Sequence, residues 1–201
     1  MEEKKKRTTG VTGLDLPLAG GFPFGESIIV YGHPLSGVDH MARQFWNPED
    51  SDDKGTYLML DEMLSEEHPE GMIDGSKMTL SQILAKMDGS RIILDSLSTL
   101  ILRDGTEKVL DFLRNHVRPM MKKTDANVMF TLYKDLHDES DIVLLMREAD
   151  VFVELREQIL GNEVERTFWI RKIKGLAVPQ RVIPFLITEK GLELSTTSRV
   201  I

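Results

Sequence analysis

The stretch Ser27-Ile28-Ile29-Val30-Tyr31-Gly32-His33-Pro34-Leu35-Ser36-Gly37-Val38-Asp39 decides the fold of this chain. Its first part is apolar and β-branched up to Tyr31, which predicts a buried strand that ends at Gly32. From Val38 to Trp46, apolar side chains recur at helical spacing. A strand that leads through a glycine-bounded loop into a helix directs backbone N–H groups and a helix N-terminus toward one point. The stretch therefore predicts a phosphate-binding loop from Gly32 to Gly37.

The remaining sequence alternates segments of strand and helix character, which favours a mainly parallel sheet with helices on both faces. Further strands are predicted at Thr56–Leu60, Arg91–Asp95, Asn127–Leu132 and Ala149–Leu155, and helices at Leu80–Met87 and Glu107–Met121. The last quarter changes character, because three strand-like segments follow one another there without a helix between them. Gly161-Asn162 predicts a hairpin turn, and the segments are Glu163–Lys174, Val182–Thr188 and Gly191–Leu194. The predicted fold is α/β, with an antiparallel C-terminal extension of the sheet.

Composition sets the class of protein and its partners. The 201 residues suit a single domain, predicted over residues 9–201, behind a flexible basic tail over residues 1–8 that contains Lys4 to Arg7. The chain has no cysteine, which excludes disulfides and thiolate metal sites, and no apolar run long enough to span a membrane. The N-terminus lacks the apolar stretch of a secretory signal, so we expect a cytoplasmic protein. The formal net charge of -8 makes nucleic acid an unfavourable partner.

The phosphate-binding loop lacks two side chains that an ATP site uses. In the Walker A pattern, G-x-x-x-x-G-K-[ST], the lysine contacts the β- and γ-phosphates and the hydroxyl ligates magnesium. Here Val38 holds the lysine position and Asp39 the hydroxyl position. Compared with a Walker A loop, this loop is therefore more negative by two charges. The interaction energy of one charge pair about 4 Å apart is roughly 4 kcal/mol at an effective dielectric of 20. Arg43, four residues after Asp39, could neutralise part of this charge.

Several motifs, taken in order, resemble the KaiC-like branch of the RecA superfamily, which is widespread in archaea and cyanobacteria. The segment Thr9–Asp15 and the run Gly20–Gly25 are similar to the opening T-G-[IV]-x-G-L-D and G-G-x-P-x-G motifs of that family. The helix segment Met41–Trp46 resembles L-A-x-Q-F-L, and Ile92–Leu97 resembles the Walker B strand. The hairpin motif A-D…G-N-E…R-T has its counterpart in Ala149-Asp150, Gly161-Asn162-Glu163 and Arg166-Thr167. The resemblance covers roughly residues 8–194 and implies a RecA-like P-loop NTPase core.

The resemblance also implies roles for individual residues. Asp61 and Glu62 stand where the family carries an acidic pair that activates water, and Asp95 stands where a carboxylate holds magnesium. Lys172 and Lys174 match a K-x-[RK]-G motif, which in ring-forming members reaches the nucleotide bound to the neighbouring subunit. The cofactors implied are ATP and Mg²⁺, and the partners implied are further copies of this chain or an active relative.

Each of these residues also has a simpler interpretation. Gly32 to Gly37 can be a tight strand-to-helix turn that binds no phosphate. Lys172 and Lys174 can be solvated residues of an edge strand. The carboxylates at positions 39, 61, 62 and 95 can be relics paired with Arg43 or His33, or can form a metal site without nucleotide. The acidic segment Asp135–Asp141 would repel a nucleic acid backbone.

We therefore expect an inactivated KaiC-like or RecA-like ATPase paralogue that acts as a non-catalytic binding or regulatory subunit. Two alternatives stay open: a slow NTPase whose missing lysine comes from a partner, and a DNA-binding recombinase paralogue, which the charge disfavours.

Overall fold

Eleven strands are present in the computed structural model, which describes residues 5–48, 53–61 and 68–195. In chain order they are β1 (Lys6–Arg7), β2 (Phe22–Pro23), β3 (Ser27–Gly32), β4 (Tyr57–Met59), β5 (Met72–Asp74), β6 (Arg91–Asp95), β7 (Asn127–Tyr133), β8 (Val151–Leu160), β9 (Glu163–Ile173), β10 (Ile183–Thr188) and β11 (Gly191–Leu194).

Nine of these strands form the central sheet, in the order β11-β10-β9-β8-β3-β7-β6-β4-β5, while β1 and β2 pair separately. The strands from β8 to β5 in this order are parallel. From β8 to β11 the neighbours are antiparallel. Both the mainly parallel core and the antiparallel C-terminal extension predicted from the sequence are confirmed.

Helices cover both faces of the sheet. One face packs against α1 (Val38–Trp46) and apolar residues of the N-terminal segment, and the other packs against all the remaining helices. This division follows the alternation of side chains along a strand: Ile28 and Val30 face α1, whereas Ile29 and Tyr31 face the other helices. The remaining helices are α2 (Leu80–Lys86), α3 (Leu97–Asp104), α4 (Thr106–Phe112), α5 (Arg118–Thr124) and α6 (Glu139–Glu148).

The helix predicted over Glu107–Met121 contains an irregular turn. A π-helical turn, Leu113–Val117, separates α4 from α5. Pro119 stands at the start of α5, and proline has no N–H to donate to the carbonyl one turn earlier. The helix predicted over Glu107–Met121 is confirmed, and the wider turn just before the proline accommodates the missing hydrogen bond.

The predicted flexible tail over residues 1–8 is wrong for its last part. Lys6 and Arg7 form β1, and Arg7 is only 5% exposed. The Arg7 guanidinium donates to Asp53 at 2.8 Å and to Asn127 at 2.5 Å, and it lowers the pKa of the Asp53 carboxyl. Residues 1–4 lie outside the described residues.

A side chain closes the outer edge of the sheet at β11. The amide nitrogen of Gln44, on α1, donates to the carbonyl oxygen of Leu192 at 3.1 Å, and its amide oxygen accepts from the Leu192 N–H at 2.7 Å. The same nitrogen donates to the carbonyl of Gly10 at 3.3 Å. The Leu192 backbone groups that face away from β10 are thus satisfied by α1.

Across residues 5–48, 53–61 and 68–195, none of the helices has both the length and the apolar character needed to cross a membrane.

Candidate phosphate loop and carboxylate cluster

The phosphate loop is folded tightly onto itself. After β3, the chain passes through His33 and a short 3-10 turn, Pro34–Ser36, to Gly37, whose φ of 99° is left-handed. The Ser36 hydroxyl donates to the carbonyl of His33 at 2.6 Å, and the Ser36 side chain is buried. A Cβ atom at Gly32 would lie 2.4 Å from that hydroxyl. The absence of a side chain at Gly32 therefore leaves room for the buried Ser36 side chain.

Val38 lies in the hydrophobic core. Its side chain has no exposed surface, and it belongs to the apolar cluster on the α1 face of the sheet. Gly37, just before it, packs against the C-terminal strands, because a Cβ atom there would lie 2.9 Å from the Leu192 side chain. The Walker lysine position is thus taken by a buried aliphatic side chain.

Asp39 is bonded to a tyrosine from the next strand of the sheet. The Tyr133 hydroxyl, at the end of β7, donates to the Asp39 carboxylate at 2.7 Å. Burial raises the pKa of the Tyr133 phenol, and the charges of Asp95 and Asp39 raise it further. The expected pairing of Asp39 with Arg43 is wrong: Arg43 makes no ion pair with any carboxylate of the described residues.

Asp95, the last residue of β6, is buried and accepts two hydroxyl groups. The Thr131 hydroxyl donates at 2.6 Å, and the Tyr57 hydroxyl donates to the other carboxylate oxygen. The side chain is 4% exposed, and burial raises the pKa of the Asp95 carboxyl. The charges of Asp39 and Asp61 also raise it, so the three carboxylates are close enough to interact.

Asp61 stabilises the turn that follows β6. Its carboxylate accepts from the Ser96 N–H at 2.9 Å, the Ser96 hydroxyl at 2.8 Å and the Thr99 hydroxyl at 2.5 Å. These contacts fix the start of α3, where Ser96 is also the N-cap. Glu62, the other member of the predicted acidic pair, lies outside the described residues.

The described residues form no group of three histidine or acidic side chains suited to hold a metal ion. His33, expected as a partner for the relic carboxylates, lies with its Nδ1 3.6 Å from Glu157 on β8 instead. The metal site without nucleotide thus finds no support in the part of the chain that the structure describes.

Lys172 and Lys174 both bind within their own chain. The Lys172 amine donates to the carbonyls of Met146 at 3.0 Å, of Arg147 at 2.8 Å and of Ala149, and so caps the end of α6. Burial lowers the pKa of this amine. Lys174 donates to the Asp150 carboxylate at 3.0 Å. Neither lysine is simply solvated, and their predicted reach toward a neighbouring subunit stays a prediction.

The hydroxyl donors of the cluster were missed in the sequence. Tyr57, Thr131 and Tyr133 stand in or at the end of otherwise apolar strands that flank the phosphate-loop strand or β6. A hydroxyl in a buried strand needs a partner, and Asp95 at the end of the strand between them was the available acceptor. That pattern could have predicted the contacts.

Comparison with known proteins places this site in a recognised fold. The family model described as "ATPase: KaiC" matches residues 46–199. The crystal structure of a KaiC-like protein from the hyperthermophilic archaeon Pyrococcus horikoshii OT3 is similar over 96% of this chain and 100% of that chain, with a TM-score of 0.77 and 18% identity. This second likeness concerns the fold alone. No curated protein matches the chain.

Proposed function

The chain belongs to the KaiC family of ATPases, and from this premise we propose that it acts as a non-catalytic binding or regulatory subunit. One observation carries the proposal: Val38 is fully buried at the position where an ATP-binding loop has its lysine. Phosphoryl transfer depends on positive charge that stabilises the transferred group. An aliphatic side chain inside the core supplies none.

The carboxylates support the same proposal. A magnesium ion bound with ATP needs oxygen ligands that are free to coordinate it. Both oxygens of Asp95 already accept protein hydroxyl groups, and Asp39 accepts the Tyr133 hydroxyl beside it. A triphosphate at the loop would meet these negative charges without the lysine that offsets them. The residues present thus do not fit magnesium-ATP.

The partner that we propose is an active relative or a further copy of this chain. A KaiC-like domain whose own site binds no nucleotide can still contact a subunit that holds nucleotide.

Calorimetry with ATP, in the presence and absence of magnesium, tests the proposal together with a sensitive ATPase assay. We expect no saturable magnesium-dependent heat. We also expect the same residual turnover in the wild type and in Glu62→Gln, prepared in parallel as the matched control for contaminating ATPase. Turnover that disappears in Glu62→Gln would overturn the proposal, because the acidic pair would then be catalytic.

A further inference from the structure

We draw no further inference here: the strongest candidate, the apolar groove of about 470 Å³ between α2 and α4 that is lined by Leu80, Leu84 and Phe112, has carboxylates and basic side chains alike at its rim, and nothing in the described part of the structure shows what covers it.

Discussion

Replacement of Lys172 by methionine should destabilise the isolated chain. The side-chain amine donates to three carbonyls at the end of α6, where the helix dipole adds to the attraction for a positive charge. Methionine keeps the length of the side chain and removes the charge and all three donors. The perturbation is thus confined to the cap.

The magnitude follows from the contacts. A hydrogen bond to a charged group contributes about 1.5–3 kcal/mol. Burial of the charge, which lowers the pKa of the Lys172 amine, opposes this gain, and water can reach part of this half-buried site and rehydrate some of the carbonyls. We therefore expect a loss of about 2 kcal/mol in the free energy of unfolding, which in a chain of this size corresponds to a Tm about 4–8 °C lower. Lys174→Met is the matched control: its amine is 58% exposed and forms a single ion pair with Asp150, so about 0–1 kcal/mol is expected.

Chemical denaturation followed by circular dichroism measures both variants in the same buffer. Equal and negligible effects of Lys172→Met and Lys174→Met would refute the reasoning, because the Lys172 amine would not then be held at the end of α6. A stable Lys172→Met that fails to bind an active, ATP-loaded relative would place the lysine at a subunit interface, as the resemblance implied.

Three further predictions concern the site and the charge of the chain. Asp95→Asn should stabilise the protein at pH 7, since the raised pKa of Asp95 means that ionisation opposes folding; the gain should shrink as the pH falls through that raised pKa toward the ordinary value of about 3.9, whereas Asp150→Asn, which removes a carboxyl of lowered pKa, should destabilise at pH 7. Both are measured by denaturation across pH, and a gain that persists at low pH would contradict the assignment to ionisation. The double variant Val38→Lys/Asp39→Thr should gain magnesium-ATP binding in calorimetry, because it restores the lysine and removes a carboxylate, while magnesium would compete with the Tyr57 and Thr131 hydroxyls for Asp95. A folded double variant that binds no magnesium-ATP would mean that these hydroxyls or the burial of position 38 also prevent binding. Gel shifts at physiological salt should detect no DNA binding, because the net charge is -8; salt-sensitive binding at sub-micromolar affinity would overturn this expectation.

The strands of the core could be predicted because burial determines their composition. Ser27–Gly32 and Arg91–Asp95 read as short apolar runs, and the structure has strands there. The helix α6 was missed because its apolar residues lie on both sides: Ile142 is buried, while Val143 is exposed. Such a pattern lacks the one-sided stripe by which an amphipathic helix is identified.

Contacts between distant parts of the sequence were the part that could not be predicted. Arg7 looked like part of a solvated tail, but its partner Asn127 lies 120 positions away. Lys172 looked like a strand-edge lysine, because nothing near it in sequence indicates the end of α6. The altered loop positions, Val38 and Asp39, could be identified from the sequence, since the motif has fixed spacing. The hydrogen bond from Tyr133 to Asp39 could not be predicted, because Tyr133 comes from another strand.

The carboxamide of Gln44 forms the same pair of hydrogen bonds with the β11 edge that one residue of an additional, tenth strand would form. It offers the donor and the acceptor that a neighbouring chain would otherwise supply to Leu192. Exposed sheet edges are where proteins recruit foreign strands and begin to aggregate. Two copies of this chain are thus hindered from pairing their sheets edge to edge through β11. An assembly that avoids this edge would rest on side-chain contacts, and each of those could be changed by a single substitution.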